Sequence, residues 1–442
     1  MEPLLRNTKG TQGPMNVSTK QQRIAMLAKQ KPNESFTSLN HYIDLEWLRG
    51  AFKLVKKKSA PGVDGISVTD YEKNLDSNLR SLLERAKSGK YIAPPVKRVH
   101  IPKGDGKETR PIGVPTIEDK VLQRAVAMLL DPIYEQDFLN CSHGFRLGQS
   151  AHGALSSLRS QVIDLGAKWI LDVDVSKFFD TLDHAHLRQF LKHRVRDGVI
   201  MKLVGKWLNA GVSERGNIHF PKGGCPQGGV ISPILSNVYL HYVLDQWFDS
   251  QVRPRMHGRV FMVRFADDFV IGFERKDDAE RVLEVLHKRF EKYGLKIHPD
   301  KTSLVPFGKP RGSKRVRTET FDFLGFTHYW AKSQRGSWVV KRKTARSRIS
   351  RGLKQIAEWC RKNRHRSIVF QHKVLCQKFR GHLAYFAIRG NSHCIQQFRE
   401  EVSKIWRKWL NRRSRGKVMP WERFRTIKKL FPLPPARIMH FI

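Results

Sequence analysis

The segment Arg259–Phe273, RVFMVRFADDFVIGF, constrains the fold of this chain more than any other part of it. On both sides of Ala266, large apolar residues alternate with polar or opposite-face positions, which predicts two short strands that meet at Asp267 and Asp268. The alternating residues are Phe261, Val263 and Phe265 before the turn and Phe269, Ile271 and Phe273 after it. Adjacent carboxylates repel each other and resist burial, so such a pair is stable only beside a positive group or ion. A solvated turn also favours aspartate, and for this segment alone it remains the alternative.

A second strand-like segment, Trp169–Val175, carries Asp172 and Asp174 within an apolar run. If the two acidic segments are neighbouring strands, the carboxylates of Asp174, Asp267 and Asp268 form a site for two Mg²⁺ ions about 3.5–4 Å apart. One ion would lower the pKa of an attacking hydroxyl, and the other would neutralise a leaving pyrophosphate. Oxygen ligands without His or Cys suit Mg²⁺, or Mn²⁺ in its place, better than zinc.

Basic residues far outnumber acidic ones in the chain. Lys and Arg total 82 against 40 Asp and Glu, a formal net charge of +42, and this excess indicates a polyanionic partner, nucleic acid before an anionic membrane. We expect no membrane partner, because no apolar run approaches the roughly 18 residues that span a bilayer, and the N-terminus lacks a secretory signal core. Five cysteines without CxxC spacing indicate neither a zinc module nor a disulfide framework.

Composition and periodicity divide the chain into regions. Residues 1–38 indicate a flexible basic N-terminal extension, and residues 39–90 indicate helices interrupted by the Pro- and Gly-containing loop 59–65. Residues 91–335 alternate short apolar strands with helical runs, which is typical of an α/β or α+β domain. Residues 336–442 indicate a basic helical region.

Positive charge is concentrated on an amphipathic C-terminal pattern. Residues 341–442 contain 28 Lys and Arg against four Asp and Glu. Apolar residues recur at helical spacing between 395 and 409, and basic residues occupy the opposite face. The basic residues of this face are Arg399, Lys404, Arg407, Lys408 and Arg412. A solvated helix face is the alternative, but the near absence of acids favours phosphate binding, so we predict that these residues bind RNA.

An ordered series of sequence blocks resembles the fingers and palm of reverse transcriptases, and within them the group II intron-encoded proteins. The blocks lie at 98–123, 141–152, 174–184, 223–240, 265–273, 294–302 and 321–326, and a weaker likeness to the thumb and maturase region continues at 380–391 and 406–415. The resemblance implies an α+β right-hand polymerase. Fingers and palm, with an antiparallel sheet, would occupy 91–335, and an α-helical thumb or maturase domain would occupy 336–442.

The resemblance also implies roles for single residues. Asp174, Asp267 and Asp268 match the catalytic, metal-binding acids. Phe179 matches the aromatic residue that excludes a ribose 2′-hydroxyl. Asp172 lies outside the motif and is interpreted as a bystander.

Further matches surround the incoming nucleotide. Lys103 and Arg110 match residues that clamp the triphosphate, a role suited to a point charge and to a planar guanidinium group. Gln227 matches a residue that packs near the nucleotide. Lys301 matches a lysine near the departing pyrophosphate, where it would act as a general acid.

Some features depart from the family pattern. Phe265 stands where Tyr is usual, which removes a hydroxyl near the primer end but leaves the metal ligands intact. Residues 146–149 read RLGQ where RPGR is commoner, in a block implied to contact the template or the fingers. Many relatives continue into a Cys-rich HNH nuclease, and the absence of such a cluster predicts that this chain has no endonuclease.

The implied function is RNA-directed DNA polymerisation, with an RNA template, a DNA or RNA primer and deoxynucleoside triphosphates. The chain would also bind group II intron RNA and target DNA to assist splicing and mobility, in the bacterial cytoplasm at the nucleoid or in an organelle. One alternative is a domesticated relative in DNA repair or in phage or CRISPR defence, with the same catalytic residues. Another is a splicing cofactor that does not polymerise, against which the intact acids argue. Phe179 disfavours an RNA-dependent RNA polymerase.

Overall fold

The structure, a computed structural model, describes residues 17–103, 108–220, 223–225, 227–310, 319–413 and 419–442, without the side chains of Lys103 and Glu108. Its helices are α1 Val17–Gln30, α2 Leu45–Lys53, α3 Val68–Lys73, α4 Leu75–Lys87, α5 Ile117–Tyr134, α6 Ala151–Asp164, α7 Phe178–Thr181, α8 His184–Lys192, α9 Gly198–Leu208, α10 Ser232–Leu240, α11 Lys276–Lys292, α12 Arg346–Lys362, α13 Ile368–Phe386, α14 Ser392–Asn411 and α15 Trp421–Leu430. Its strands are β1 Val96–Lys103, β2 Glu108–Val114, β3 Trp169–Val173, β4 Val212–Glu214, β5 Asn217–His219, β6 Val260–Phe265, β7 Asp268–Phe273, β8 Ser303–Pro306, β9 Phe321–Phe323, β10 Phe326–Lys332 and β11 Trp338–Thr344. None of these described helices is long and apolar enough to cross a membrane.

The first described helix, α1, belongs to the folded core. Ile24 and Ala28 lie four residues apart on one face, are fully buried, and pack with α2 and α5. Lys20 forms an ion pair with Asp44, whose side chain caps the N-terminus of α2. The expectation of a flexible extension is therefore wrong over 17–30. A narrow apolar stripe is enough to hold a helix when α5 offers a matching surface, and the local sequence does not reveal that surface.

The fingers are built on a long antiparallel hairpin of β1 and β2, with α5 beside it. The hairpin joins β4 and β5 in a sheet of order β2-β1-β4-β5. Helix α5 is buried along most of its surface, as expected of a helix that is apolar on nearly all sides. Gln123 on α5 accepts hydrogen bonds from the main-chain N–H groups of Val230 and Ile231 at 2.8 and 3.3 Å. The same helix therefore also anchors the loop that precedes α10.

A second sheet, which we call the palm sheet, carries the predicted acidic strands in the order β6-β7-β3-β8. Strands β6 and β7 flank the turn at Ala266, which confirms the hairpin predicted from the alternation. Leu171 and Ile271 face one core beneath α10 and α11, whereas Ile170 and Val270 face another beside α6 and β10. Because both faces are buried, a shift of one residue would exchange the two apolar faces, so the register is strongly specified.

The C-terminal region packs its helices around a separate core. A three-stranded sheet of order β11-β10-β9 precedes the helices α12 to α15. Apolar side chains of α14 at helical spacing are buried in this core, namely Ile395, Phe398, Val402, Trp406 and Leu410. The antiparallel sheets followed by a helical C-terminal region confirm the α+β fold class. The boundaries at residues 38, 90 and 335 stay predictions.

One histidine is buried in the C-terminal sheet without a hydrogen-bond partner. His328 on β10 is fully buried, and its ring stacks on Phe321 with 4.8 Å between ring centroids. Neither ring nitrogen has a partner within the described part of the chain. Burial, and to a lesser degree the nearby Arg342 guanidinium, lowers the pKa of His328 to about 3. The ring is therefore neutral in the folded chain at mildly acidic pH.

We predict that His328 makes the fold sensitive to acid. Below about pH 6.5 the unfolded chain binds a proton here that the folded chain does not, so stability falls as the pH falls toward 3, by up to about 1.4 kcal/mol per pH unit. In urea denaturation, wild type should lose about 2 kcal/mol more than His328→Phe between about pH 7.5 and about pH 5. The exposed His365→Phe is the control and should behave as wild type does. An equal loss in His328→Phe and wild type would contradict the prediction.

Candidate active site

The turn between β6 and β7 places two carboxylates at one end of the palm sheet. Phe265 pairs with Asp268, which leaves Ala266 and Asp267 as the turn residues. Ala266 adopts a φ of 57°, the left-handed conformation that two-residue hairpin turns use and that few residues other than glycine adopt. The hairpin thus brings Asp267 and Asp268 to its tip, where the sequence pattern predicts them.

Asp174 follows β3 and is held by the loop 294–302. Its carbonyl oxygen accepts a hydrogen bond from the N–H of His298 at 2.8 Å, and its own N–H donates to Thr302 Oγ1 at 3.4 Å. Lys301 Nζ, in the same loop, lies 3.6 Å from Asp174 Oδ2. Two sequence blocks that are more than a hundred residues apart therefore meet at one carboxylate.

Burial and mutual repulsion raise the pKa of carboxyl groups at this end of the sheet. Burial is the main cause for Asp267, whose pKa is raised, and for Asp268, whose pKa rises to about 6 with added repulsion from Asp267 and Asp174. The pKa of Asp172 rises to about 7, through burial first and then repulsion from Asp268 and Asp174. Asp172 is therefore coupled electrostatically to the acids, although its place outside the motif suggested a bystander.

Arginines from distant parts of the chain offset this repulsion. Arg110 on β2 lowers the pKa of both Asp267 and Asp268, and Arg348 on α12 lowers that of Asp268. The sequence predicts Arg110 near the acids, whereas no motif marks Arg348, because only tertiary packing brings α12 to the palm sheet. The side chain of Lys103, the other predicted triphosphate clamp, lies outside the described residues.

The three aspartates suit a hard divalent cation. They offer carboxylate oxygens, and a bound cation would relieve the repulsion between them. Their ligand atoms do not all lie within 4.8 Å of one another. Among the described residues, the group that meets this distance is His257, Asp277 and Asp278, whose carboxylates already contact arginine side chains. The wider spacing of the three aspartates is compatible with two ions, since such ligands need not converge on one point.

Phe179 and Gln227 line one small cavity of about 90 Å³ beside the fingers hairpin. The carbonyl oxygen of Phe179 accepts from the N–H of Cys225 at 2.7 Å, and that of Gln227 accepts from the N–H of Gly113 at 2.7 Å. A side chain on Gly228 would meet the Gly113 carbonyl oxygen at 2.6 Å, so the contact between this loop and β2 requires glycine. The structure thus brings together two of the residues expected around the incoming nucleotide.

A buried arginine that no sequence motif singled out holds the turn between β6 and β7 in place. Arg264 on β6 is fully buried and forms an ion pair with the equally buried Asp245. Its other N–H groups donate to Asn237 Oδ1 at 3.1 Å, to Ser142 Oγ at 2.7 Å and to the Ala266 carbonyl oxygen at 3.0 Å. All five guanidinium donors are therefore used, and one of them holds the turn itself. The sequence signal was an arginine inside an apolar strand.

The block 141–152 packs its main chain directly against the same turn. The N–H of His143 donates to the carbonyl oxygen of Arg264 at 2.8 Å. A Cβ atom on Gly144 would lie 2.2 Å from the main-chain nitrogen of Ala266. Only glycine permits this approach, which gives a physical reason for the residue at position 144.

A cleft of about 550 Å³ separates the turn from the C-terminal helices. Phe265 and Asp268 line its palm side, and Arg348, Lys378 and His382 line its helical side. Phe265 is half-buried: it packs against the core beside α6 and β10 and also lines the cleft. Asp268 therefore lies across the cleft from a wall of basic side chains.

Two of the predicted RNA-binding residues make contacts within the protein. Arg399 donates to two main-chain carbonyl groups of the segment that follows α15, at 2.9 and 3.0 Å. Arg407 donates to a carbonyl group just before α15 at 2.9 Å, and its guanidinium lies 3.8 Å from the centre of the Trp421 ring. Both side chains thus tie α14 to the last part of the chain.

The other three predicted RNA-binding residues are exposed on α14 and at its end. Lys404 pairs with Glu401 at 2.7 Å, an exposed contact that a phosphate could replace. Lys408 points to solvent, and Arg412 lies over the Trp409 ring at 5.2 Å. The predicted RNA-binding face is therefore narrower than the sequence indicates.

Sequence comparison matches residues 101–328, about half of the chain, to the family described as reverse transcriptase (RNA-dependent DNA polymerase). Protein YkfC of Escherichia coli (strain K12) is 33% identical over 324 residues, which are 66% of this chain and 85% of that protein. The group II intron-encoded protein LtrA of Lactococcus lactis subsp. cremoris is 33% identical over 223 residues, 50% of this chain and 37% of LtrA. The putative COX1/OXI3 intron 1 protein of Saccharomyces cerevisiae is 27% identical over 325 residues, 63% of this chain and 38% of that protein. The chain thus spans most of YkfC but well under half of the two intron proteins.

The buried ion pair between Arg264 and Asp245 generates a stability prediction. Asp245→Asn leaves the guanidinium charge buried without a counter-charge and should lower the free energy of unfolding by about 3–5 kcal/mol in urea denaturation. Asp249→Asn makes the same chemical change in an exposed pair with Arg253 and should have little effect. If both variants unfold at the same urea concentration as wild type, the ion pair does not stabilise the hairpin as inferred.

Proposed function

This chain belongs to the reverse transcriptase family, and from that membership we propose that it is an RNA-directed DNA polymerase of the group II intron-encoded kind. The observation that carries the proposal is the meeting of Asp174, Asp267 and Asp268 at one end of the palm sheet, with Arg110 and Lys301 beside them. RNA binding alone gives no reason to retain acids that repel each other, whereas metal-dependent nucleotidyl transfer uses them directly.

The residues around the acids would have separate roles in the reaction. Mg²⁺, or Mn²⁺ in its place, would lower the pKa of the primer 3′-hydroxyl and neutralise charge on the triphosphate. Arg110 would hold the triphosphate through its planar fork, and Lys103 would hold it as a point charge. Lys301, beside Asp174, would protonate the departing pyrophosphate as a general acid.

The nucleic acids would occupy the basic cleft and the C-terminal helices. The RNA template and its DNA or RNA primer would lie between Asp268 and Arg348, which line opposite sides of the 550 Å³ cleft. Group II intron RNA would bind the exposed basic face of α14, where Lys404, Lys408 and Arg412 are accessible to phosphates. Cleaved target DNA would supply a primer end to the same cleft, which would couple intron mobility to polymerisation.

The first test removes the acids one at a time. Asp267→Asn and Asp268→Asn should each slow primer extension by several orders of magnitude while RNA affinity stays nearly unchanged, because the metal charge stabilises the transition state rather than the complex. Asp249→Asn, in an exposed ion pair with Arg253, is the matched control and should extend primers normally. Full-length cDNA from either active-site variant at the wild-type rate would refute the assignment.

The second test concerns the sugar. Phe179→Ala should open room for a 2′-hydroxyl and raise the incorporation of ribonucleotides relative to deoxyribonucleotides roughly ten- to two-hundredfold, the scale of one hydrophobic steric contact. Phe179→Tyr keeps the ring and should keep the selectivity. The measurement is kcat/KM for both nucleotides, and unchanged selectivity in Phe179→Ala would mean that this ring does not contact the sugar.

A further inference from the structure

A second basic cavity, of about 730 Å³, lies where the β10–β11 hairpin meets α6 and the last residues of the chain. We call it the hairpin cavity. The charged side chains that line it are all cationic: Arg159, Arg335, Lys341, Arg342 and Arg389, with no acid among the described residues of the lining. It shares no lining residue with the cleft beside the catalytic acids. So many cations around one concave surface repel each other unless an anion joins them.

Arg342 shows that the hairpin cavity is a built site rather than a patch of solvated charge. The residue is 2% exposed, and its Nη2 group donates to the main-chain oxygen of Ile442 at 2.6 Å. Its Nη1 group is buried and has no hydrogen-bond partner within the described part of the chain. A buried donor on a charged group is destabilising while it stays unpaired. Arg342 thus places an unsatisfied cationic group in the wall of the cavity.

A second arginine restricts which anion fits. Arg159 on α6 donates through Nε to the carbonyl oxygen of Val340 at 3.2 Å, which fixes its orientation at the wall of the cavity. Its charge lies close enough to Arg342 that, after burial, it contributes to lowering the pKa of Arg342 to about 10. Guanidinium groups in the wall of one cavity suit the oxygens of a phosphate, which a planar fork can bind through two N–H groups.

We propose that the hairpin cavity binds phosphate groups of an RNA backbone, at a place separate from the catalytic cleft. Its rim extends the site beyond a single phosphate, because Arg335 and Arg389 are exposed at its mouth. Phe441, 79% exposed on the same lining, offers a ring on which an unpaired base can stack. Phosphate contacts of this kind hold and orient RNA without reading its sequence. The choice of RNA as ligand rests on the proposed function, but the site does not depend on polymerisation.

The experiment neutralises the exposed rim. Arg335→Gln/Arg389→Gln in the full chain should flatten the slope of log affinity against log salt for a structured RNA by about 1.4–1.8 units, since each neutralised phosphate contributes about 0.7–0.9. The matched control, Lys276→Gln/Lys288→Gln on α11, removes the same charge from side chains already paired with glutamates and should keep the wild-type slope. Extension of a short primer–template duplex should proceed normally in both.

Three other outcomes would overturn the proposal. If the slope is unchanged in the rim variant, or falls equally in the control, the cavity contributes only to the overall positive electrostatic potential of the protein. Loss of short-duplex extension would make the cavity part of the catalytic channel. If the rim variant keeps its RNA slope but loses thermal stabilisation by inorganic phosphate, the site serves a small phosphate compound. A chain that binds RNA with the expected slopes but never extends primers would refute the proposed function and leave this site standing.

The buried group has its own test. Arg342→Gln removes the unpaired cation, so the melting temperature should hold or rise while RNA affinity falls by the equivalent of about one phosphate contact in the salt slope. A purely structural role predicts the reverse, a lower melting temperature with unchanged RNA affinity of the folded fraction. That result would contradict a phosphate ligand for Arg342.

Discussion

The buried ion pair between Arg264 and Asp245 is the interaction on which the acidic end of the palm sheet depends. Burying two charges is unfavourable unless every donor and acceptor is satisfied, and here the guanidinium uses all five N–H groups. One of them reaches the carbonyl oxygen of Ala266, so the pair fixes the turn that carries Asp267. Ser142 joins the same network and brings with it the chain segment in which Gly144 lies against the turn. The same ion pair therefore positions the acids and stabilises the core.

The negative charges of the acids destabilise one another, and the cationic side chains near them belong to two different regions of the chain. Burial and repulsion raise the pKa of Asp268 and Asp172, while Arg110 approaches from the fingers and Arg348 from the first helix of the C-terminal region. Neither arginine belongs to the palm sheet. The charges around the acids are thus balanced only when the regions before and after the sheet pack on it.

Arginine serves two purposes in this chain, so the net charge of +42 overstates the surface available to RNA. Arg399 and Arg407 donate hydrogen bonds to main-chain carbonyl groups near α15. Arg194, 2% exposed, does the same for the segment after α1 and pairs with Asp137. Arg342 and Arg407 each leave one buried guanidinium nitrogen without a hydrogen-bond partner among the described residues. Of the two, Arg342 lines a cavity whose charged side chains are all cationic, and that combination marks the hairpin cavity.

The local pattern of the sequence by itself determined the strands beside Asp174 and Asp267, the amphipathic helix α14 and the family, because period-two and helical spacing and ordered motifs are properties of neighbouring residues. It did not determine the helix α1, which two buried residues, Ile24 and Ala28, secure only because α5 lies opposite. The contacts of Arg264 and Arg348 also required the fold, since their partners lie far away along the chain. The same holds for the division of α14 into satisfied and exposed basic residues. Periodicity identifies which face of an element is buried, but the partner of a buried charge depends on which distant segment packs there, and only tertiary structure decides that.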